Sequence, residues 1–273
     1  MYPLAYWKHD LDPVLWQITD SLAIRWYGVA YLLGFLAAGV LLHFYYRRGR
    51  SPLNLDQQSM AMTALIVGVL LGGRVGYLIL YQPEQWLRDP LLLFKIWQGG
   101  MASHGGFIGV GFAMLWIARK TKTSFWALGD IVVTLAPAGL FFGRIANFIN
   151  GELWGRPTEA PWAVVFRKGI GGTYGLPRHP SQLYEAALEG LVLGIYLQLR
   201  FWLRDTHTAK RGQLVGECLL VYAVLRIIGE VFREPDAELI LGMSRGIFYS
   251  LFFALAGLLI IFRPAPPNGA LES

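Results

Sequence analysis

A single cysteine, Cys218, in a chain of 273 residues excludes an internal disulfide. Set among Gly216, Leu219 and Leu220, it reads as a small buried hydrophobe. No Cys/His spacing of the metal-binding kind occurs, so neither a metal nor any other cofactor is expected. Charge is scarce as well, at 15% of residues. The first twenty residues hold Asp10, Asp12 and Asp20 against one lysine, Lys8. That is the wrong charge for a cleavable signal, and the first apolar segment is expected to remain as an anchor. There is no internal repeat and no inverted pair of broken helices, which argues against a transporter.

What is present is apolar. The chain is 55% hydrophobic, with a mean hydropathy of +0.42, too high for an ordinary soluble domain. Segments at about 21–46, 57–81, 101–119, 126–150, 181–203, 213–232 and 245–262 are long enough to cross a bilayer or nearly so. Backbone in hydrocarbon must satisfy its own hydrogen bonds, so such segments are helices. The expectation is an all-α polytopic membrane protein: seven transmembrane helices forming a single integral membrane domain over residues 1–273, with no nucleic-acid partner.

The short loops after the first, third and fifth segments carry Arg47, Arg48 and Arg50; Arg119, Lys120 and Lys122; and Arg200, Arg204, Lys210 and Arg211. Positive charge favours the cytoplasm, so the N-terminus is expected outside and the tail after Arg263 inside. The outer connections are longer. Pro83–Gly100 is apolar with interspersed charge and suits the interface, with Trp86 and Trp97 as anchors. Residues 151–180 are expected to form a small extracytoplasmic cap, with WAVVF as a strand and GIGGTYG as a turn-rich connector. Glycines at 68/72/76, 105/109 and 139/143 have the spacing that lets helices approach closely.

With that orientation the buried polar residues converge. Arg74, Arg144, Asn147, Tyr222, Arg226 and Glu230 lie toward the outer ends of outward-running helices. Ser103 and His104, and Arg25, Trp26 and Tyr27, lie near the outer starts of inward-running ones. Arg144 and Asn147 share a helix face, and Tyr222, Arg226 and Glu230 form a stripe. Asn150–Gly151 looks like a helix end, with Glu152 just above the pocket. Each residue has a plainer reading. Arg226 and Glu230 can neutralise each other within one helix, and Arg74 can reach for headgroups. Asn147 can join two helices, and His104 can be a packing residue. Together, arginines at headgroup depth suggest a site for an anionic lipid, because guanidinium forks fit phosphate oxygens.

The residues Gly143–Arg156, GRIANFINGELWGR, are the most specific stretch. Further pieces follow the same order along the chain: RWYG at 25–28, GGRVGY at 72–77, SHGG at 103–106, HPSQLYE at 179–185 and YAVLRIIGEVFREPD at 222–236. This set resembles the bacterial prolipoprotein diacylglyceryl transferases and spans nearly the whole chain.

The resemblance implies transfer of a diacylglyceryl group from phosphatidylglycerol to the lipobox cysteine thiol of a preprolipoprotein. A thioether forms and glycerol phosphate leaves, as the first step of lipoprotein maturation in the bacterial inner membrane. Membrane lipid and the signal-peptide segment are the implied partners. A thiol near pKa 8.5 needs a base, and His104 is the candidate. Arg144 and Arg226 are placed to stabilise the leaving phosphate. Tyr27, Arg74, Asn147, Asn150, Glu152, Gly155, Tyr222 and Glu230 are the expected substrate-binding residues. The nucleophile belongs to the substrate, so no catalytic Cys or Ser is needed here.

Rival readings fit less well. A channel for anions needs polar residues reaching both faces, whereas the inner helix halves hold little charge apart from Asp130. An alcohol phosphatidyltransferase needs an acidic metal cluster that is missing. An intramembrane protease needs partners facing each other, which Ser103 and His104, adjacent on a helix, cannot do.

Overall fold

A computed structural model describes residues 6–20, 22–95, 99–167, 174–205, 209–235 and 238–264, without the side chain of Ser103. Trp97, most of the GIGGTYG connector, Asp236 and the tail beyond residue 264 lie outside the described residues. The protein is mostly helical. Its longer helices are α1 (Trp26–Arg47), α2 (Leu55–Tyr81), α4 (Ser103–Thr121), α5 (Phe125–Ile149), α8 (Gln213–Phe232) and α9 (Arg245–Phe262). A continuous helical run adds α6 (Ser181–Glu185), a π-helical segment (Ala186–Val192) and α7 (Leu193–Leu203). Each expected apolar segment is thus helical over most of its length.

Of the described helices, α1, α2, α5, the run Ser181–Leu203 and α9 are each long and apolar enough to cross a membrane. The α8 helix carries Glu217, Arg226 and Glu230 within its length, which lowers its hydropathy. Large apolar side chains such as Leu36, Val40, Phe112, Ile195 and Leu259 point outward. A protein in water avoids so much exposed hydrocarbon, whereas a bilayer covers it.

Two units divide the described chain. One holds Gly39–Ile131 and is built on α2 against α4. Asn54 and Gln57 cap α2 reciprocally, with side chain to backbone distances of 2.9 and 3.0 Å. The expected glycine contacts occur here. A Cβ on Gly76 would stand 2.7 Å from the Cα of Gly105, and one on Gly72 would stand 2.9 Å from the Cα of Gly109. Pro83–Arg88 forms the short helix α3, and a 3₁₀ turn follows at Pro90–Leu93. Trp86 is half-buried there, with Leu87, Leu91 and Phe94 exposed beside it.

The other unit holds Met1–Ala38 and Val132–Ala265. Leu193, Leu197, Cys218 and Leu225 form one apolar core cluster in it. Gly216 and Gly257 bring α8 and α9 together, since a Cβ on either would lie within 2.8 Å of the other's carbonyl oxygen. Gly34 meets the Cα of Gly139 at 3.0 Å from its ideal Cβ, but a Cβ on Gly143 meets nothing within 4 Å. A side chain at Gly143 would thus meet no neighbour.

The chain before α1 also differs from expectation. Ala23–Arg25 is strand β3, paired antiparallel with β2 (Val14–Gln17), so the helix starts at Trp26 and Arg25 is an exposed strand residue. The loop 151–180 does not build its sheet alone. Strand β1 (Trp7–Lys8) pairs in parallel with β4 (Val164–Arg167), which pairs antiparallel with β5 (Tyr174–Arg178). His9 sits under this sheet against the rings of Trp7, Phe148 and Phe166, which ties the sheet to the end of α5.

Candidate active site

Two clusters in the larger unit carry the polar residues singled out above. The first forms where α5 ends. Asn150 is followed by Gly151 at φ +65°, the left-handed conformation that stops a helix. The chain then turns back, with Glu152 N–H donating to Asn147 O at 3.2 Å. This puts the Glu152 carboxylate beside its own helix. Tyr27 Oη donates to Glu152 Oε1 at 2.6 Å, and Asn147 Nδ2 donates to the same oxygen at 2.7 Å and to Tyr27 Oη. Gln182 Nε2 donates to Glu152 O at 2.5 Å and Ser181 Oγ to Leu153 O at 3.0 Å, fixing this loop to the start of α6. The oxygens Asn150 Oδ1 and Gln182 Oε1 are buried without a donor among the described residues.

The second cluster is an arginine–glutamate network. Arg144 donates to Glu189 Oε2 from Nε at 3.3 Å and from Nη2 at 3.0 Å, and its Nη1 lies 2.9 Å from Glu185 Oε2. Arg226 Nη1 pairs with Glu185 Oε1 and, at 3.1 Å, with Glu189 Oε1; its Nη2 pairs with Glu230 Oε1. Arg233 Nη1 reaches Glu185 Oε1 at 3.2 Å. Ser244 Oγ donates to Glu230 Oε2 at 2.7 Å. Tyr222 stands beside the network, with its ring edge-on to Phe253 at 5.9 Å.

The local helix type supports this arrangement. Glu185 ends α6 and Glu189 lies in the π-helical segment, a form that concentrates at functional sites. Gly190 beside them lets α5 come close, since a Cβ there would stand 2.6 Å from Phe141 Cβ. Burial is graded. The side chains of Glu185 and Glu189 are 0% exposed, whereas Arg144 keeps 16% and Arg226 10%. The carboxylates are sealed, and the arginine side chains keep only a small share of exposure. Buried charges without partners are costly, and these are matched.

Not every expected residue joins these clusters. Arg74 belongs to the smaller unit, where it donates to Leu92 O from Nε at 3.1 Å and from Nη2 at 2.6 Å. It also donates to Lys95 O at 3.1 Å, to Gly100 O at 3.2 Å and to Gly99 O. Those five bonds match a guanidinium's five N–H groups, so Arg74 fastens the loop after α3 and has no donor left for a phosphate. His104 is in the same unit, exposed on the first turn of α4. Gly155 is a backbone junction and presents no group to a ligand. Its N–H donates to His179 O at 3.0 Å, its carbonyl accepts from Arg178 at 3.0 Å, and a Cβ would stand 2.6 Å from Phe232 O. Among the described residues no His/Cys/Asp/Glu group could hold a metal ion.

Sequence reasoning missed Glu185, Glu189, Arg233 and Ser244. The signal was there for the first two: carboxylates four residues apart inside an apolar segment require partners as much as an arginine does. Ser244 and Gln182 carried no such mark.

Fold and clusters together define a polytopic helical membrane protein with arginines held at helix depth by buried carboxylates. The family profile of the prolipoprotein diacylglyceryl transferases matches residues 13–263, and the chain belongs to that family. Relatives named phosphatidylglycerol–prolipoprotein diacylglyceryl transferase are similar over nearly their full lengths. That of Rhodospirillum rubrum is 45% identical over 94% of each chain, and that of Phenylobacterium zucineum 44% over 93% of each. That of Vibrio cholerae is 46% identical over 92% of this chain and 91% of its own.

Proposed function

We propose that this protein transfers the diacylglyceryl group of phosphatidylglycerol to the lipobox cysteine of a preprolipoprotein. The thiolate sulfur attacks the glyceryl carbon that bears the phosphate. A carbon–sulfur bond forms, the carbon–oxygen bond breaks with its electrons going to phosphate oxygen, and glycerol phosphate leaves. His104 takes the thiol proton, a role supported by its place in SHGG and by the chemistry of imidazole near neutral pH.

The observation that carries this reading is the graded burial of the network. Arg144 and Arg226 keep slightly more side-chain exposure than the carboxylates they bind, and each has N–H groups beyond those that bind carboxylates. Guanidinium donors fixed in advance suit a phosphate that gains charge as the bond breaks. Tyr27, Asn147 and Glu152, locked to one another, are proposed to orient the lipid so that its glyceryl carbon lines up with the thiolate. The buried acceptor Asn150 Oδ1 fits a hydroxyl donor, and the glycerol headgroup has two. Tyr222 and Glu230 are proposed to support Arg226 beside the phosphate. Arg74 and Gly155 act on the fold instead.

The proposed setting is the bacterial inner membrane, crossed seven times by a single integral domain. The N-terminus and the sheet β1–β4–β5 lie on the periplasmic side, the C-terminus in the cytoplasm, and the site faces the outer leaflet. The loop charges support that orientation. Purified protein incubated with phosphatidylglycerol and a lipobox peptide should yield the thioether, seen as a mass increase of the peptide. An unmodified peptide, with lipid and protein shown to be intact, would overturn the reading.

A further inference from the structure

The arginines of the network are matched charge for charge. Arg144, Arg226 and Arg233 face Glu185, Glu189 and Glu230, so the described cluster is neutral. Neutrality is unexpected in a site meant to attract an anion, because uncompensated arginines would bind it more tightly. It does suit a site that must release one. In the transfer proposed above, on which this inference rests, the substrate is a phosphodiester carrying one negative charge. The departing glycerol phosphate is a monoester with roughly −1.5 to −2 at neutral pH. Every increment of ligand charge is opposed by the sealed carboxylates, and opposition grows with that charge.

We propose that Glu185 and Glu189 set the charge of the site, so that the more highly charged product is held weakly and leaves. They are positioning residues, acting through Arg144 and Arg226 and touching neither substrate nor product. Glu189 is the clearer case, since its two oxygens accept from different arginines: Oε2 from Arg144 at 3.0 Å and Oε1 from Arg226 at 3.1 Å. Its burial leaves no water to screen the carboxylate from a phosphate on the other side of those guanidinium groups.

A purely structural network and a charge-setting one differ in the sign of their mutant effects. Glu189→Gln keeps the volume and an acceptor oxygen but makes the cluster positive. Arg233→Gln makes it negative. The purified full-length variants, in detergent with phosphatidylglycerol, are assayed for KM, kcat and inhibition by glycerol phosphate. Calorimetric titration with glycerol phosphate measures binding independently of turnover. Glu189→Gln should bind glycerol phosphate about tenfold more tightly, with a smaller fall in KM for the lipid and a lower kcat as release slows. Arg233→Gln should bind it more weakly, and the double variant should return to the wild-type affinity. Weaker binding in both single variants, or no change in either, overturns the proposal. Should Glu189→Gln fail to fold, Glu185→Gln, which also makes the cluster positive, should tighten glycerol phosphate binding in its place, and weaker or unchanged binding there overturns the proposal. A wild-type protein that makes no thioether overturns the transfer reading instead, and the titrations keep the two failures apart.

Discussion

The carboxylate of Glu230 lies where Gly246 would carry a side chain. A Cβ on Gly246 would stand 2.8 Å from Glu230 Cγ and closer still to the carboxylate. Glu230 uses this space to meet Arg226 through one oxygen and Ser244 through the other. Gly246→Ala should therefore push Glu230 off Arg226. The overpacking is expected to cost about 1–3 kcal/mol of stability. Thioether formation should fall at least tenfold in the protein that remains folded, a loss checked by comparing thermal melting with specific activity. Full specific activity in a folded Gly246→Ala would show that the Glu230–Arg226 pair has no part in the reaction.

Tyr27 joins Asn147 to Glu152, accepting from one and donating to the other at 2.6 Å. Phenylalanine would remove both bonds, but the direct Asn147–Glu152 bond at 2.7 Å would hold. Tyr27→Phe should thus lower stability by only about 1 kcal/mol. Its activity should drop far more, because lipid alignment depends on the trio. A melting curve and a turnover assay on the same preparation separate the two effects. Equal, small changes in both would reduce Tyr27 to a helix tether.

The convergence of the buried polar residues was legible in the sequence, and their partners were not. The pattern of apolar segments and loop charge singled out Arg144, Asn147, Tyr222, Arg226 and Glu230, which all lie in or beside the two clusters. What escaped is which acids face which arginines, since Glu185 and Glu189 reach Arg144 from another helix. The start of α1 escaped for a local reason. Ala23–Arg25 is apolar enough to extend the helix, but pairing with Val14–Gln17 draws it into a hairpin. Strand β1 was invisible because two residues carry no periodicity.

Arg74 shows the same limit at one residue. The headgroup depth expected of it suggested phosphate, yet its donors go to the carbonyls of Leu92, Lys95, Gly99 and Gly100. Lysine has three N–H donors on one atom and cannot reach carbonyls spread around a plane. Arg74→Lys should leave the loop after α3 loosely held. Limited proteolysis should then cut between α3 and α4 at least several-fold faster than in the wild type. Unaltered cleavage together with a raised KM for phosphatidylglycerol would restore Arg74 to the substrate site.

His9 gives the sheet β1–β4–β5 a dependence on pH. Its Nε2–H donates to Phe148 O at 2.7 Å and its backbone N–H to Val165 O at 3.0 Å, with aromatic rings packed around it. Burial disfavours the imidazolium and holds its pKa below the usual 6.5, although the Phe148 carbonyl and Asp10 oppose the shift. His179 is lowered in the same sense by burial. Above pH 6.5 both the docked and undocked segments are neutral, and docking is at full strength. As the pH falls through 6.5 the undocked segment takes up its proton first, so docking weakens until the lower pKa of the docked state is reached. Hydrogen exchange at the amides of His9 and Val165 should therefore quicken on acidification. His9→Gln, which cannot titrate but can still donate to Phe148 O, should flatten most of that dependence. A wild-type exchange profile independent of pH, after correction for intrinsic rates, would show that His9 docks with equal strength in either protonation state.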